Sequence, residues 1–312
     1  MSSAFHPGPL DALCDVPGLS VGHAQNEPAR TGCTVVLPRQ PAVTGVDIRG
    51  SAPGTHEVAL LEPGRLVQHV HAICLTGGSS FGLQSAIGVQ QFLEEKNIGF
   101  DVGVARVPIV PAAVIFDLAV GRADVRPDSA MGYAAARAAT DTDTACGRIG
   151  AGTGATVGKI LGHELAVPGG IGQASEVIGE GVIVAALTVV NPLGNIIDPA
   201  SGKILAGARR DGVYVDAGRV MREQPEQLMR VWGQNTTLAV VATNAKLDKL
   251  QATKVAQMAH DGFGRVIHPA HTQFDGDLIF ALSCGDKQMD SMIIGSVAAD
   301  VVARSIIKAV SD

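Results

Sequence analysis

The chain has 312 residues, enough for one large domain or two ordinary ones, and carries a net charge of −6. Hydrophobic residues make up 46% and charged residues 17%, and the 38 glycines far outnumber the aromatics, which suits a tightly turned α/β enzyme with apolar surface to hide in an oligomer. The absence of any basic cluster argues against a nucleic-acid partner, and no apolar stretch approaches the roughly 20 residues of a membrane helix.

The opening Met1-Ser-Ser-Ala-Phe-His-Pro-Gly8 has no basic stretch followed by an apolar core, so no signal peptide is expected. Cys14, Cys33, Cys74, Cys146 and Cys284 are odd in number and widely spaced, without a Cys-x-x-Cys pair. They read as thiols of a reducing compartment rather than a disulfide framework or a zinc site. A soluble, cytoplasmic protein is the expectation.

Taken in order, Thr34–Leu37 and Ala72–Thr76 read as strands, and Gly77-Gly78 turns the second into a helix from about Ser80 to Asn97. Val107–Phe116 is apolar but holds Pro108 and Pro111, so it reads as an edge or a loop before a strand. Met131–Thr140 is alanine-rich and helical, and the glycine-dense stretch 147–172 reads as turns and short strands. Val182–Val190 is a β-branched run of buried-strand type, closed by Asn191-Pro192. Residues 208–235 hold nine charges and Pro225 with poor apolar periodicity, which reads as an exposed linker. A strand (Leu238–Ala242), a helix (Leu247–Asp261), a strand (Leu278–Ser283) and a closing helix (Met289–Val310) complete a single domain, 1–312.

The chemistry concentrates where the linker meets a strand, at Asn235-Thr236-Thr237. A threonine hydroxyl is a poor nucleophile at neutral pH and needs a base within hydrogen-bond reach. Scission of the Asn235–Thr236 bond would make Thr236 an N-terminus, whose amine titrates near pKa ~8 and supplies that base. A fixed nucleophile after a segment free to leave is what self-cleavage requires.

Upstream, Gly150-Ala-Gly-Thr-Gly-Ala-Thr-Val-Gly-Lys159 fails the phosphate-loop spacing, with Thr153 in place of the first glycine and Ile160 after the lysine. It is either a tight turn or an active-site loop presenting Lys159 to an oxyanion or a nucleophile. Thr76-Gly-Gly-Ser-Ser-Phe-Gly82 is a strand-to-helix turn in which the N–H groups around Gly77, Gly78 and Ser79 could bind an anion or carbonyl, and Ser79 or Ser80 suits a helix N-cap. Asn191 either donates its amide to an oxyanion or simply ends its strand. Phe274-Asp-Gly-Asp277 places two carboxylates about one glycine, for orienting an ammonium or as a solvated turn. His268 and His271 beside these aspartates hint at a metal, but no third ligand of the right type is near, so neither metal nor cofactor is expected.

Five segments resemble the DmpA-type family of L-aminopeptidase/D-esterases, β-aminopeptidases and 6-aminohexanoate-oligomer (nylon-oligomer) endohydrolases. They are Asp15-Val-Pro-Gly-Leu-Ser-Val-Gly-His23, Arg49-Gly-Ser-Ala-Pro-Gly-Thr55, His71-Ala-Ile-Cys-Leu-Thr-Gly-Gly-Ser-Ser-Phe-Gly-Leu83, Val107–Leu118 and Gly150-Ala-Gly-Thr-Gly-Ala-Thr156. The resemblance implies a four-layer αββα sandwich and a precursor cut into an α chain (1–235) and a β chain (236–312). It implies Thr236 as the nucleophile of both autocleavage and catalysis. By position, Lys159, Asn191, Asp275 and Asp277 match the residues that assist it in the nylon-oligomer branch. Peptidase members generally carry a serine nucleophile and other residues at the positions of Asp275 and Asp277, so this chain sides with the threonine branch. The implied partners are a small peptide-like or amino-acid-oligomer substrate and further αβ units, a tetramer being favoured. Two alternatives stay open: an acyltransferase of the ornithine-acetyltransferase type, and an uncleaved, non-catalytic scaffold.

Overall fold

The run Val182–Val190 is apolar throughout because both of its faces are covered. Val184, Ala186 and Val190 pack toward a pair of helices, whereas Ala185, Leu187 and Val189 pack toward a second sheet. This one strand samples the whole architecture. The structure, a computed structural model, describes residues 5–226 and 235–311.

The principal elements are strands β1 (Leu19–Asn26), β2 (Thr31–Pro38), β3 (Ala42–Ile48) and β4 (Ile73–Thr76), helix α1 (Gln84–Glu94), strand β5 (Ala112–Val114) and helix α2 (Ser129–Arg137). Strands β6 (Gly170–Ile178) and β7 (Val182–Val190), helix α3 (Ala217–Glu223), strand β8 (Leu238–Ala245), helix α4 (Lys249–Val266), strand β9 (Leu278–Lys287) and helix α5 (Ser291–Lys308) follow. One sheet runs β1-β2-β4-β5 and ends on the short strand Thr55–His56. The other runs β6-β7-β8-β9-β3 and ends on His69–Val70. Each is antiparallel except for one parallel pair, β4/β5 in the first and β8/β9 in the second.

Three apolar layers lie between the four structural ones. Val35, Cys74 and Ala112 face Val89 and Ala135 of α1 and α2. Val21, Val36 and Ile73 of the first sheet meet Leu187, Val240 and Phe280 of the second. Val184, Val241 and Ile279 then meet Val255, Phe263 and Val302 of α4 and α5. The order is helices, sheet, sheet, helices, the αββα sandwich expected. Burial of the middle layer's Leu, Ile and Phe side chains stabilises by about 1.5–3 kcal/mol each.

Several local expectations need amendment. The helix expected from Ser80 begins as a 3-10 turn, Ser79–Leu83, before α1 proper. Of the two readings of the stretch around Pro108 and Pro111, the edge is excluded and the loop before a strand holds: the prolines precede β5, an interior strand, where no ladder donor is needed. Residues 208–226 of the expected linker carry a hairpin, Arg209–Arg210 with Val213–Tyr214, and the helix α3, whose N-cap Asp216 accepts from Arg219 N. Ala208, Ala217 and Val220 are buried against Ile160 and Leu193. Gly158 makes that contact possible: its φ is +79°, and a Cβ there would lie 2.0 Å from Ala208 N. Residues 227–234 of that stretch lie outside the described residues. All five cysteines are free, and among the described residues no helix is long and apolar enough to cross a membrane.

Candidate active site

Parallel pairing of β8 and β9 builds the site. Leu238 is in register with Leu278, so the residues just before each strand, Thr236-Thr237 and Asp275-Gly276-Asp277, arrive side by side at one edge of the sheet. Strand β7 runs the other way with Val189 opposite Leu238, which brings Asn191 to the same edge. On the far side Ile48 pairs with Leu278, and the following turn binds the aspartate backbone: Arg49 N and Gly50 N donate to Asp277 O, and Ala52 N to Asp275 O at 2.9 Å.

Thr236 is 4% exposed. Its hydroxyl donates to the carbonyl oxygen of Asn235, and its amide N donates to Asn191 O at 3.0 Å. The Gly276 N–H is shared between two oxygens, at 3.0 Å from Asn235 O and 3.2 Å from Thr236 Oγ1. One backbone donor therefore sits on the carbonyl that the neighbouring hydroxyl would attack. Both side-chain polar atoms of Asn235 and the Thr237 hydroxyl are buried with no hydrogen-bond partner among the described residues.

The carboxylates hold the frame. Asp277 Oδ1 accepts from Thr237 N at 2.7 Å, while its Oδ2 accepts from His271 N at 3.1 Å and lies 2.9 Å from His271 Nδ1. Asp275 accepts from Leu193 N, from Thr272 N and from the Thr272 hydroxyl. Burial, reinforced by the charge of Asp277, pushes the Asp275 carboxyl up to about 7.

Lys159 has no exposed surface. Its ammonium donates to Thr156 O at 2.6 Å, Asn191 Oδ1 at 2.9 Å and Asn191 O at 3.0 Å. Desolvation lowers its pKa to about 7, and the charges of Asp275 and Asp277 oppose that fall. Asn191 O is thus the shared acceptor of Lys159 Nζ and Thr236 N. The expected use of the Asn191 side chain as oxyanion donor meets a different geometry. Its Oδ1 is taken by Lys159 and by Thr156 N, which turns Nδ2 toward Phe116 O at 3.4 Å, and the Asn235 carbonyl is served by Gly276 instead.

The turn Gly77-Gly78-Ser79 is also bound differently from expectation. Neither Ser79 nor Ser80 caps the helix: the N-cap position is Gly78, in the left-handed region, with no side-chain cap bond. Gly78 N donates to Asp117 Oδ1 at 2.7 Å, the Thr31 hydroxyl donates to Asp117 Oδ2 at 2.7 Å, and Ser79 N donates to Ile115 O. The anion that this turn holds is the chain's own Asp117, whose burial raises it to about 6. The turn touches the surroundings of Thr236 only at one remove, through Phe116 O and Asn191.

Thr236, Lys159, Asn191, Asp275 and Asp277 are therefore brought together, and Asn235 supplies the carbonyl. Gly276, Thr156 and His271 were missed in these roles. Gly276 and Thr156 act mainly through backbone groups that every residue possesses, so residue type carries no signal for them. For His271 the sequence offers only a passing hint of a metal and no structural role, whereas in the fold its ring is paired with Asp277; no group of three or more His, Cys, Asp or Glu side chains among the described residues is placed to hold a metal.

Comparison with known proteins agrees with this reading of the fold. The Peptidase family S58 model matches residues 11–312. An uncharacterized aminopeptidase of Mycobacterium tuberculosis (strain ATCC 25618 / H37Rv) is 38% identical, covering 96% of this chain and 94% of the relative. The 6-aminohexanoate-oligomer endohydrolase of Kocuria sp. (strain KY2) is 33% identical, covering 95% and 84%. Among solved structures, the L-aminopeptidase D-Ala-esterase/amidase of Ochrobactrum anthropi, described as a new variant among the Ntn hydrolase fold, aligns with a TM-score of 0.74 at 20% identity, covering 98% of this chain and 87% of its own. The β-aminopeptidase of Burkholderia sp. gives 0.70 at 22%, covering 98% and 88%. The two structures carry the likeness of fold; the family match and the two relatives span nearly the whole sequence, so the chain is a hydrolase and belongs to peptidase family S58.

Proposed function

We propose that this protein is a self-processing amidohydrolase whose nucleophile is Thr236, acting on amide bonds of short peptides or amino-acid oligomers. The observation that carries the reading is the single N–H of Gly276 bonded to both Thr236 Oγ1 and Asn235 O, with Thr236 N tethered to Asn191 O. In the uncut chain, Oγ1 attacks the Asn235 carbonyl carbon and the C–N bond breaks. The hydroxyl proton goes to the departing nitrogen, which becomes the amine of Thr236. Water then hydrolyses the ester, leaving a carboxylate on Asn235 and restoring the hydroxyl.

In the mature enzyme the amine takes the hydroxyl proton as Oγ1 attacks a substrate amide, and passes it to the leaving amine. An acyl-enzyme forms on Oγ1, and a water deprotonated by the same amine clears it. Gly276 N–H holds the developing oxyanion in both reactions. Lys159, bonded to the same carbonyl oxygen as Thr236 N, places positive charge near the amine and favours its neutral, basic form. Asp277 fixes the backbone of Thr237, and Asp275 fixes the turn that presents Gly276. The relatives named aminopeptidase and 6-aminohexanoate-oligomer endohydrolase support the substrate class.

Intact mass and N-terminal analysis test the scheme. The wild-type protein of 32.0 kDa should split, with one piece beginning at Thr236, and Thr236→Ala should stay whole and inactive. A processed, active T236A protein would end this reading.

A further inference from the structure

We infer that His271 is a positioning residue for Thr236, acting through Asp277; the inference rests on the role proposed above for that threonine. Asp277 is 1% exposed, and its two oxygens face opposite ways: Oδ1 takes Thr237 N at 2.7 Å, while Oδ2 takes both His271 N and His271 Nδ1. A carboxylate held only at Oδ1 would swing about its Cβ–Cγ bond. The His271 contacts remove that freedom, and with it the freedom of the peptide that follows the nucleophile. The histidine is itself locked. Its ring stacks on Phe263 (centroids 5.6 Å, 27°) and meets His260 edge-on at 4.8 Å. His260 is anchored in turn by Nε2 at 3.1 Å from Asp47 O, one strand away.

Two further observations set His271 apart from a packing residue. Its φ is +55°, a left-handed conformation that costs a side-chain-bearing residue energy and persists where the surroundings impose it. Among the described residues its Nε2 is buried without a partner, and the hydrogen bond its ring makes there is the one to Asp277. The tautomer that satisfies the pair carries its proton on Nδ1 and donates it to Oδ2. The positive φ also supplies the test, because glycine occupies that conformation freely. His271→Gly deletes the ring while keeping the backbone, and His271→Asn tolerates the same φ and returns a donor.

Processing is followed by intact mass, and turnover of a short amide by the matured enzyme gives kcat and KM. His271→Gly should slow processing and lower kcat by about 10- to 100-fold, with KM within about twofold and the melting temperature little changed. Added imidazole should restore a substantial part of both rates to His271→Gly, and His271→Asn should fall between that variant and wild type. Wild-type rates in His271→Gly would overturn the inference. So would a slow His271→Gly that neither imidazole nor the asparagine exchange improves. If His271→Gly does not fold, His271→Asn decides alone, and a loss of more than about 100-fold in processing and turnover then overturns it. Wild-type protein that never splits would instead defeat the Thr236 reading itself.

Discussion

Each sheet contains one parallel strand pair, and the two junctions are finished in opposite ways. Where β4 and β5 end together, the polar groups are paired: Gly78 N and the Thr31 hydroxyl on Asp117, Gly77 N on Gly32 O, Ser79 N on Ile115 O. Where β8 and β9 begin together, the Thr237 hydroxyl and both polar atoms of the Asn235 side chain are buried without partners among the described residues, and a fully buried lysine sits beside two buried aspartates. Buried polar groups left unpaired cost about 1–3 kcal/mol each, so a fold does not retain them for stability. The saturated junction holds the sandwich together, and the unsaturated one is where chemistry is expected.

Substitutions at the two junctions sharpen or break that contrast. After Thr236→Ala, the largest effect should come from Lys159→Met, which replaces the buried ammonium by an apolar chain of similar length. Processing and turnover should fall by about 100- to 1,000-fold while circular dichroism and solubility stay those of the wild type. Wild-type processing in K159M would mean the open junction works without its cation.

Asp117→Asn at the closed junction should behave in reverse, losing about 1–3 kcal/mol in urea unfolding, because an amide has one acceptor oxygen for two donors, while still splitting on schedule. Its pH dependence is equally specific. Folded protein keeps the Asp117 proton up to about pH 6, whereas the unfolded chain releases it near pH ~4. Between those values the native state binds more protons, so this group's contribution to stability falls as pH rises, by at most about 1.4 kcal/mol per pH unit. Melting curves of D117N should lack that component. The smallest effect belongs to Ser79→Gly. Ser79 has φ +54°, so glycine should raise stability by no more than about 1 kcal/mol and leave processing alone. A loss of processing in S79G would show that this turn serves the nucleophile after all.

Much of this contrast can be read before folding, in unequal measure. Val182–Val190, Leu238–Ala242 and Leu278–Ser283 declare themselves as strands because burial on both faces makes them uniformly apolar. Strand β6 begins at the end of the glycine-dense stretch read as turns and short strands and is obscured there, since its glycines serve close packing: a Cβ on Gly172 would sit 1.9 Å from Ser305 O in α5. Strands β1 and β3 are also obscured, by polar residues and glycines that interrupt their alternation. In the site, residue types alone leave Lys159, Asp275 and Asp277 open between chemistry and ordinary turns, because burial is not visible in a sequence, and it is the family resemblance that singles them out with Thr236. What Asn191 does is invisible from its type, since its backbone oxygen and not its amide meets Thr236 N. Gly276 is a turn residue by composition, and only its orientation shows that its N–H meets both Asn235 O and Thr236 Oγ1.

The place of Thr236 in the second sheet has a consequence for the life of the molecule. Everything from that residue onward, β8, α4, β9 and α5, forms the middle of the sheet and its outer cover, flanked by β7 and β3 from the upstream part. A backbone nick there would leave two interwoven pieces that co-purify as a single particle. Their recovery after denaturation, however, would become a second-order encounter between partners that never had to find each other during synthesis. Such an enzyme trades reversible refolding for activation, and its working lifetime is set by how slowly it first comes apart.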